Sequence, residues 1–196
     1  MRHALPVLLL IVALASPAGA RAQSAQSPSG GMWWSVSAAA GGARLSCNIC
    51  DPTRDAGPAV EGAIGTYASP AVRVGVDGGW WTFREDDFRE QVMSAGVVAE
   101  VHPRRGSGLH LIGGLGWSGY RANDTDPAPD QEGFSYDALR LRLGAGWDLP
   151  LTSSWSVGNR VTLDASSLGT LKDEDTPIAR AVGLSVVRIA IYLRHN

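Results

Sequence analysis

Two cysteines, four histidines and three short acidic stretches are the residues of this chain whose types and spacing could support chemistry. Cys47 and Cys50 form a CxxC pair in the segment SCNICD. A zinc site of this type would need two such pairs. A redox role would need a helix N-terminus to lower the thiol pKa, and the segment gives no sign of one. In an exported chain, the pair favours a small disulfide that pins a loop.

The acidic stretches lie at 84–90 (REDDFRE), 123–132 (NDTDPAPDQE) and 172–175 (KDED). Carboxylates spaced in this way could hold a calcium or magnesium ion. No full calcium-loop pattern with its closing glutamate is present, and acidic loops are more often simply solvated. We therefore expect no metal site and no cofactor.

Charged residues at every second position form the largest set of chemically capable groups. In 139–149 (LRLRLGAGWDL), Leu139, Leu141 and Leu143 alternate with arginine and glycine. Alternation at period two places the two kinds of residue on opposite faces of a strand, whereas a helix would mix them around its circumference. The segment therefore predicts a β-strand with one apolar face and one charged face.

Seven further stretches alternate in the same way, and with 134–149 they predict eight strands. They lie at 32–44, 59–68, 71–83, 88–102, 108–121, 155–166 and 181–194. In the last of them, Val182 and Leu184 stand on the opposite parity from Val187 and Ile189, which predicts a bulge or a register change. Eight is the smallest even number of strands that closes a barrel of the outer-membrane type.

The charged face of these strands is predicted to point into the barrel and the apolar face toward lipid. About ten residues of alternation is the span that a tilted strand needs to cross a bilayer. The interior of an eight-stranded barrel is filled by side chains, so opposite charges can pair across it; a narrow ion pathway lined by arginine is the functional alternative. The predicted lumen charges are Glu61, Arg73, Asp77, Glu100, Arg140, Arg142, Asp148, Arg160, Asp164, Arg188 and Arg194.

Aromatic residues collect near both ends of the predicted strands and leave the middles free. Interfacial tryptophan and tyrosine flank the aliphatic band of a membrane barrel in this way, whereas a soluble β-core would place large rings at its centre. The residues assigned to the two belts are Trp33, Trp34, Tyr67, Trp80, Trp81, Trp117, Trp147, Trp155 and Tyr192. Their distribution favours a membrane barrel.

The first 22 residues predict a cleaved secretory signal peptide. A basic start is followed by the apolar core 4–15 and by a small-residue cleavage site, and this core is well short of the ~20 residues of a spanning helix. Residues 23–31 predict a flexible polar lead-in, and 32–196 a single barrel domain. The net charge of -2, with both signs interspersed, gives no reason to expect a nucleic-acid partner.

The predicted connections alternate in length. Segments 67–70, 102–106 and 150–154 are short turn signals, whereas 46–58, 84–87, 122–133 and 168–178 are mostly longer and more polar. Short turns at one rim and long loops at the other are expected for the periplasmic and extracellular sides of an outer-membrane barrel, respectively.

Through its strand number, alternation, aromatic ends and loop asymmetry, the chain from Trp33 to Arg194 resembles the family of small eight-stranded outer-membrane β-barrels, which includes the OmpA-like and OmpX-like barrels. The resemblance implies an integral protein of the cell outer membrane. Its implied partners are membrane lipid, lipopolysaccharide and, during biogenesis, the barrel-assembly machinery. Barrels of this family usually end on an aromatic residue, whereas this chain ends IYLRHN, with Tyr192 as its last aromatic ring.

Some members of the family are lipid hydrolases or proteases with a catalytic histidine at the outer rim. His102, His110 and His195 instead map to the periplasmic rim, and His3 leaves with the signal peptide, so we expect no enzyme. We expect a structural or surface-interaction role, with the long extracellular loops as the contact surface for a partner that the sequence does not identify. The alternatives are a soluble, exported, lipocalin-like barrel that binds an apolar ligand inside, with the two faces swapped, and a narrow ion-conducting pore.

Overall fold

Eight antiparallel strands form one closed barrel in the computed structural model. The structure describes residues 31–48, 50, 53–86, 88–104, 107–124, 133–173 and 176–196; the predicted signal peptide and all but the last residue of the lead-in lie outside these ranges. The strands are β1 (Met32–Ser46), β2 (Asp55–Ser69), β3 (Val72–Glu85), β4 (Phe88–Val101), β5 (Leu109–Asp124), β6 (Phe134–Pro150), β7 (Trp155–Asp173) and β8 (Thr176–His195). The predicted all-β, eight-stranded, up-and-down barrel is confirmed. In the described part of the chain, no helix has the length and hydropathy needed to cross a membrane.

Each strand pairs with its neighbours in sequence, and β1 pairs with β8 to close the barrel. The closing ladder runs from Trp34 opposite His195 to Ser46 opposite Gly183. The start of β1 and the end of β8 lie at the same end of the barrel, which we call the proximal end. The opposite end, where β1 leads into residues 47–54, is the distal end. Closure pairs every strand with two neighbours over the middle of the barrel, whereas at the distal end residues 176–182 of β8 pair only with β7 and residues 82–85 of β3 only with β4.

The outward face of the barrel carries a broad apolar band. On β6, the outward residues Leu139, Leu141 and Leu143 are exposed, while the arginines between them are buried. On β4 the outward apolar series runs from Met93 to Val101, both of which are exposed. This length matches the ~9–11 residues that a tilted strand needs to cross the hydrocarbon layer of a membrane.

At the distal end the strands run beyond this apolar band. β3 joins β4 across residues 86–87, and β7 joins β8 across residues 174–175. Residues 84–85 of the connection predicted at 84–87, and nine of the eleven residues of the connection predicted at 168–178, are therefore strand, so both predicted connections are too long. Backbone pairing continues there, but the outward residues turn polar, which removes the alternation that marks a strand in the sequence. The longer distal connections are 47–54 and 125–133.

The irregularity predicted in the last strand lies closer to the distal end than expected. Ala181 has a positive φ of 54°, and the pairing of β7 with β8 shifts register between Ser166 and Gly169. From Val182 onward the alternation is unbroken, because Val182 and Leu184 are buried on the same parity as the inward-facing residues further along β8. Their apolar side chains mark a change in what fills the barrel.

Two kinds of interior follow one another along the barrel axis. Charged side chains fill the proximal end and the middle. The distal end holds a hydrophobic cluster, the distal apolar core, which consists of Ala43, Ala59, Trp81, Val92, Tyr120, Ala122, Tyr136, Leu171, Ala179, Val182, Leu184 and Val186. Outward residues near this height, such as Gln91, Arg121 and Ser135, are polar. The polarity of the two faces is therefore reversed at the distal end.

Candidate functional site in the barrel interior

Eleven charged side chains converge on the lumen. β2 supplies Glu61, β3 Arg73 and Asp77, β4 Glu100, β6 Arg140, Arg142 and Asp148, β7 Arg160 and Asp164, and β8 Arg188 and Arg194. None is more than 9% exposed. The structure thus places on the inward face all of the residues that the alternation assigns to it, and the distances divide them into two clusters.

The central charge cluster consists of Glu61, Asp77, Asp164, Arg140, Arg142, Arg160 and Arg188. Glu61 accepts hydrogen bonds from Arg142 at 2.8 Å and from Arg160 at 3.0 Å. Arg188 donates a third, at 3.4 Å. β2 pairs only with β1 and β3, so these bonds to Glu61 from β6, β7 and β8 cross the lumen.

Two aspartates complete the central charge cluster. Asp164 accepts two bonds from Arg142, at 2.7 and 2.8 Å, which is the bidentate arrangement that makes arginine–carboxylate pairs strong. It also accepts a bond from Arg188. Asp77 accepts a bond from Arg140 at 2.6 Å. Because four arginines face three carboxylates, the cluster carries one excess positive charge.

The proximal charge cluster consists of Arg73, Glu100, Asp148 and Arg194. Arg194 donates to Asp148 at 2.8 Å and to Glu100 at 2.7 Å. Arg73 donates to the same two carboxylates at 3.1 and 3.3 Å. The Arg194 guanidinium also lies 5.5 Å from the centre of the Trp33 ring, within cation–π range. The charges of this cluster balance, two against two.

The last residues of the chain close the proximal mouth. Tyr192 donates a hydrogen bond to Asp148. The side-chain oxygen of Asn196 accepts bonds from the Tyr67 hydroxyl at 3.0 Å and from Arg73 at 3.2 Å. The C-terminal segment therefore connects β8 to β2, β3 and β6 from inside the barrel.

Two histidines extend the proximal charge cluster. The ligand atoms of His102, His110 and Asp148 lie within 4.8 Å of one another, and two imidazoles with a carboxylate suit several transition metals. However, the same Asp148 oxygen lies 3.1 Å from Arg73 and 2.8 Å from Arg194. A metal cation would have to share this oxygen with two guanidinium groups, so we assign no metal to the site.

The burial of these charges shows which face of the strands points into the barrel. A soluble, lipocalin-like barrel would turn the charged face to water and keep the apolar face inside. The structure contradicts that alternative for the middle and proximal parts, because Arg140, Arg188 and Arg194 are among its most deeply buried side chains. Removing an ion from water costs several kcal/mol, and only close partners offset this cost.

The aromatic belts are only partly as predicted. Five of the nine residues lie on outward positions: Trp34, Trp80, Trp117, Trp147 and Trp155. The other four, Trp33, Tyr67, Trp81 and Tyr192, are buried inside the barrel, so their assignment to a lipid-facing belt is wrong. Neighbouring residues of a strand point to opposite faces, so each of the pairs 33–34 and 80–81 can place only one ring outside.

The distal apolar core is a feature that the alternation does not predict. Two of its rings bond to backbone carbonyls: Trp81 donates to Gly41 at 3.0 Å, and Tyr136 donates to Val182 at 3.2 Å. The sequence does carry a signal for it, in the apolar residues on the inward parity of β8 from Val182 to Val186. In the sequence, however, apolar residues on the inward parity look the same as a change of register.

Cys47 and Cys50 form a disulfide bond, and both pack against the distal apolar core. Arg54, at the other end of the same connection, donates to the Gly42 carbonyl at 2.6 Å and to the Ser185 hydroxyl at 2.9 Å. These contacts fasten the connection over the junction of β1 and β8. They give the distal rim one covalently braced segment.

Comparisons with known proteins identify a fold. No family model matches the chain, and no curated protein matches its sequence. Neisserial surface protein A (NspA) has a solved structure that is 15% identical, with a TM-score of 0.58 over 83% of this chain and 96% of that one. OprG of Pseudomonas aeruginosa is 11% identical, with a TM-score of 0.49 over 87% and 97%. Ail of Yersinia pestis, in complex with the heparin analogue sucrose octasulfate, is 12% identical, with a TM-score of 0.48 over 83% and 98%.

The closed eight-stranded barrel and its likeness to NspA define the class of this protein. It has the fold of the small outer-membrane β-barrels, and the class predicted from the sequence is confirmed at the level of the fold.

Proposed function

We propose that this protein is an integral outer-membrane protein with a structural or surface-interaction role. One observation carries the proposal: the strands that bury paired charges inside the barrel expose an apolar surface outside. Val97, Leu115 and Ile191 are 60%, 63% and 68% exposed. Soluble monomers rarely expose apolar patches larger than a few hundred Å², whereas membrane hydrocarbon stabilises such a band.

In this proposal the distal end faces the cell exterior and the proximal end faces the periplasm. The two longest connections, 47–54 and 125–133, lie at the distal end, and long loops of outer-membrane barrels are extracellular. The distal rim, braced by the Cys47–Cys50 disulfide and by Arg54, is the contact surface. Membrane lipid surrounds the apolar band, and the barrel-assembly machinery is the partner during insertion.

The lumen is proposed to act as a structural plug. Guanidinium groups from β6, β7 and β8 reach Glu61 across the barrel, and Arg194 holds Glu100 and Asp148 near the proximal mouth. An ion moving along the axis would have to separate these pairs. A catalytic role is not proposed, because His102 and His110 lie at the periplasmic mouth beside a carboxylate already held by two arginines.

Membrane fractionation and gel mobility test the proposal. We expect the expressed chain to remain with the outer membrane after a carbonate or urea wash, and to migrate differently in unboiled and boiled samples, as folded barrels do. Recovery as a detergent-free soluble monomer would refute the membrane assignment. Planar-bilayer recordings test the plug: steps of stable single-channel conductance from the purified protein would favour the narrow pore instead.

A further inference from the structure

The excess positive charge of the central charge cluster has no counterpart elsewhere in the described interior. The proximal charge cluster is balanced. Two further inward-facing acids, Asp55 of β2 and Glu90 of β4, lie toward the distal end. Ala59 and Val92 of the distal apolar core separate them from the lumen charges on their own strands. Within the described part of the chain, neither acid forms an ion pair with an arginine, so the excess charge remains buried.

Arg188 leaves one whole edge of its guanidinium group unused. Its Nη1 atom donates to Asp164 and to Glu61, whereas Nε and Nη2 are buried with no acceptor among the described residues. These two atoms lie on the same edge of the planar group, the edge that binds an anion through two parallel hydrogen bonds. Arg160 leaves only Nε unpaired, and Arg140 leaves Nε and Nη1, which lie on different edges. Arg188 therefore presents a complete anion-binding edge inside the lumen.

A buried hydroxyl group lies directly across the ladder from Arg188. Thr162 of β7 pairs with Arg188 of β8, and side chains at such positions have Cβ atoms about 4.5–5.5 Å apart. Thr162 is 1% exposed, and its hydroxyl has no hydrogen-bond partner in the described structure. Glycines occupy the next positions on either side, Gly41 of β1 and Gly144 of β6, so the adjoining strands place no side chain at this level. Donors on three atoms thus share one part of the lumen.

We propose that Arg188 and Thr162 hold a small monovalent anion, of the size and charge of chloride, inside the barrel. Nε, Nη2 and the threonine hydroxyl donate to the ion, and its charge cancels the excess of the central charge cluster. A water molecule accepts the same bonds but leaves the charge uncompensated, and an uncompensated buried charge is strongly destabilising. The proposal goes beyond a structural plug, because it makes the stability of the barrel depend on a solute.

The first experiment measures the free energy of unfolding of the wild-type barrel from lipid vesicles in urea, a denaturant that adds no ions. Chloride replaces gluconate, which is too large for the packed lumen, at constant ionic strength and constant sodium. A ligand that binds only the folded state stabilises it by mass action, so a tenfold rise in chloride should raise the folding equilibrium constant by up to about tenfold. A wild-type barrel whose stability does not depend on chloride would overturn the proposal.

Thr162→Asp builds the negative charge into the chain. We expect this variant to be at least as stable as the wild type in gluconate and to lose the dependence on chloride, because its carboxylate takes the place of the ion. The matched control is Ser156→Asp, since Ser156 is also buried on β7 and lies opposite Arg194, in a cluster whose charges already balance. It should unfold at lower urea concentration in both salts and keep the chloride dependence of the wild type.

Thr162→Val removes only the hydroxyl and keeps the branched shape of threonine, so it should fold and show a weaker chloride dependence. If Thr162→Asp keeps the full dependence on chloride, the ion does not lie at this site and the proposal fails. It also fails if Ser156→Asp folds while Thr162→Asp does not, because the excess charge then accepts no acid. If neither aspartate variant folds, Thr162→Val decides: a weakened dependence supports the site, and an unchanged one overturns it.

Discussion

On β8 the inward-facing residues change character along a single strand. Arg188 and Arg194 project into the lumen in the middle and proximal parts, while Val182 and Leu184 project into it at the distal end. The outward face changes in the opposite sense, and on β4 it passes from valine and methionine to Gln91. The same eight strands thus have a charged interior and an apolar exterior in the middle and proximal parts of the barrel. At the distal end the interior is apolar and the exterior is polar.

The proposed membrane location explains the difference. Where hydrocarbon surrounds the barrel, the outward residues must be apolar, and packing apolar groups inside gains nothing from the exclusion of water. The interior there is held by ion pairs that satisfy one another. Where water surrounds the barrel, burying apolar groups is favourable, and the interior becomes an ordinary hydrophobic core. Substitutions on each face and in each part of the barrel test this contrast.

Glu61→Gln should have the largest effect on the free energy of unfolding, because it removes a carboxylate at the centre of the charged interior. Arg142, Arg160 and Arg188 all donate to this carboxylate, and removing one partner from a buried ion pair costs about 3–5 kcal/mol. We expect the free energy of unfolding from lipid vesicles, measured with denaturant, to fall by that amount. Asp137→Asn, which removes an exposed carboxylate, is the control and should change little; equal effects would mean that the lumen pairs contribute no special stability.

Leu141→Arg places a charge on the lipid-facing side of β6, where Leu141 is exposed. An arginine at the middle of the membrane costs about 2–4 kcal/mol, and the same denaturant titration should record that loss. Ser135→Arg, further along the same face of the same strand, should be nearly neutral because water surrounds it. If both substitutions cost the same, the outward face does not change its solvent along β6.

Leu184→Ala tests the distal apolar core. Leu184 is 2% exposed, and truncating a buried leucine costs about 2–5 kcal/mol. We expect the lower part of that range, because strands near their ends can relax into the space. Val187→Ala, on the outward face of the same strand, should cost less, since lipid can fill the space it leaves. A larger loss for Val187→Ala would contradict a distal interior stabilised by the exclusion of water.

The double substitution of Cys47→Ser and Cys50→Ser should have the smallest effect. A disulfide that closes so short a loop restricts the unfolded chain by about 2 kcal/mol or less, and the barrel itself does not depend on it. We expect a small loss of unfolding free energy, together with faster proteolysis within residues 47–54 on intact cells. Unchanged proteolysis would show that Arg54 alone fastens the distal connection.

The sequence predicts the strands and their inward faces in the part of the barrel where apolar and polar residues alternate strictly. There, the position of Arg140 and Arg142 between leucines is enough to assign both to the lumen. The distal ends of β3, β4, β7 and β8 cannot be delimited in this way, because polar outward residues such as Gln91 break the apolar pattern while the backbone ladder continues. The inward rings of Trp33 and Trp81 are predictable from parity, since each neighbours an outward tryptophan. Which arginine meets which carboxylate depends on shear and side-chain reach, which no local pattern encodes.

The bonds made by the last residues also bear on the order in which the barrel can be built. β1 finds its second neighbour only when β8 arrives, since Trp34 pairs with His195. Glu100 on β4 likewise lacks Arg194 until the C-terminus is in place. Contacts so distant in sequence make folding slow and expose unpaired strands meanwhile. The arrival of β8 therefore supplies both the closing backbone ladder to β1 and the side-chain bond from Arg194 to Glu100.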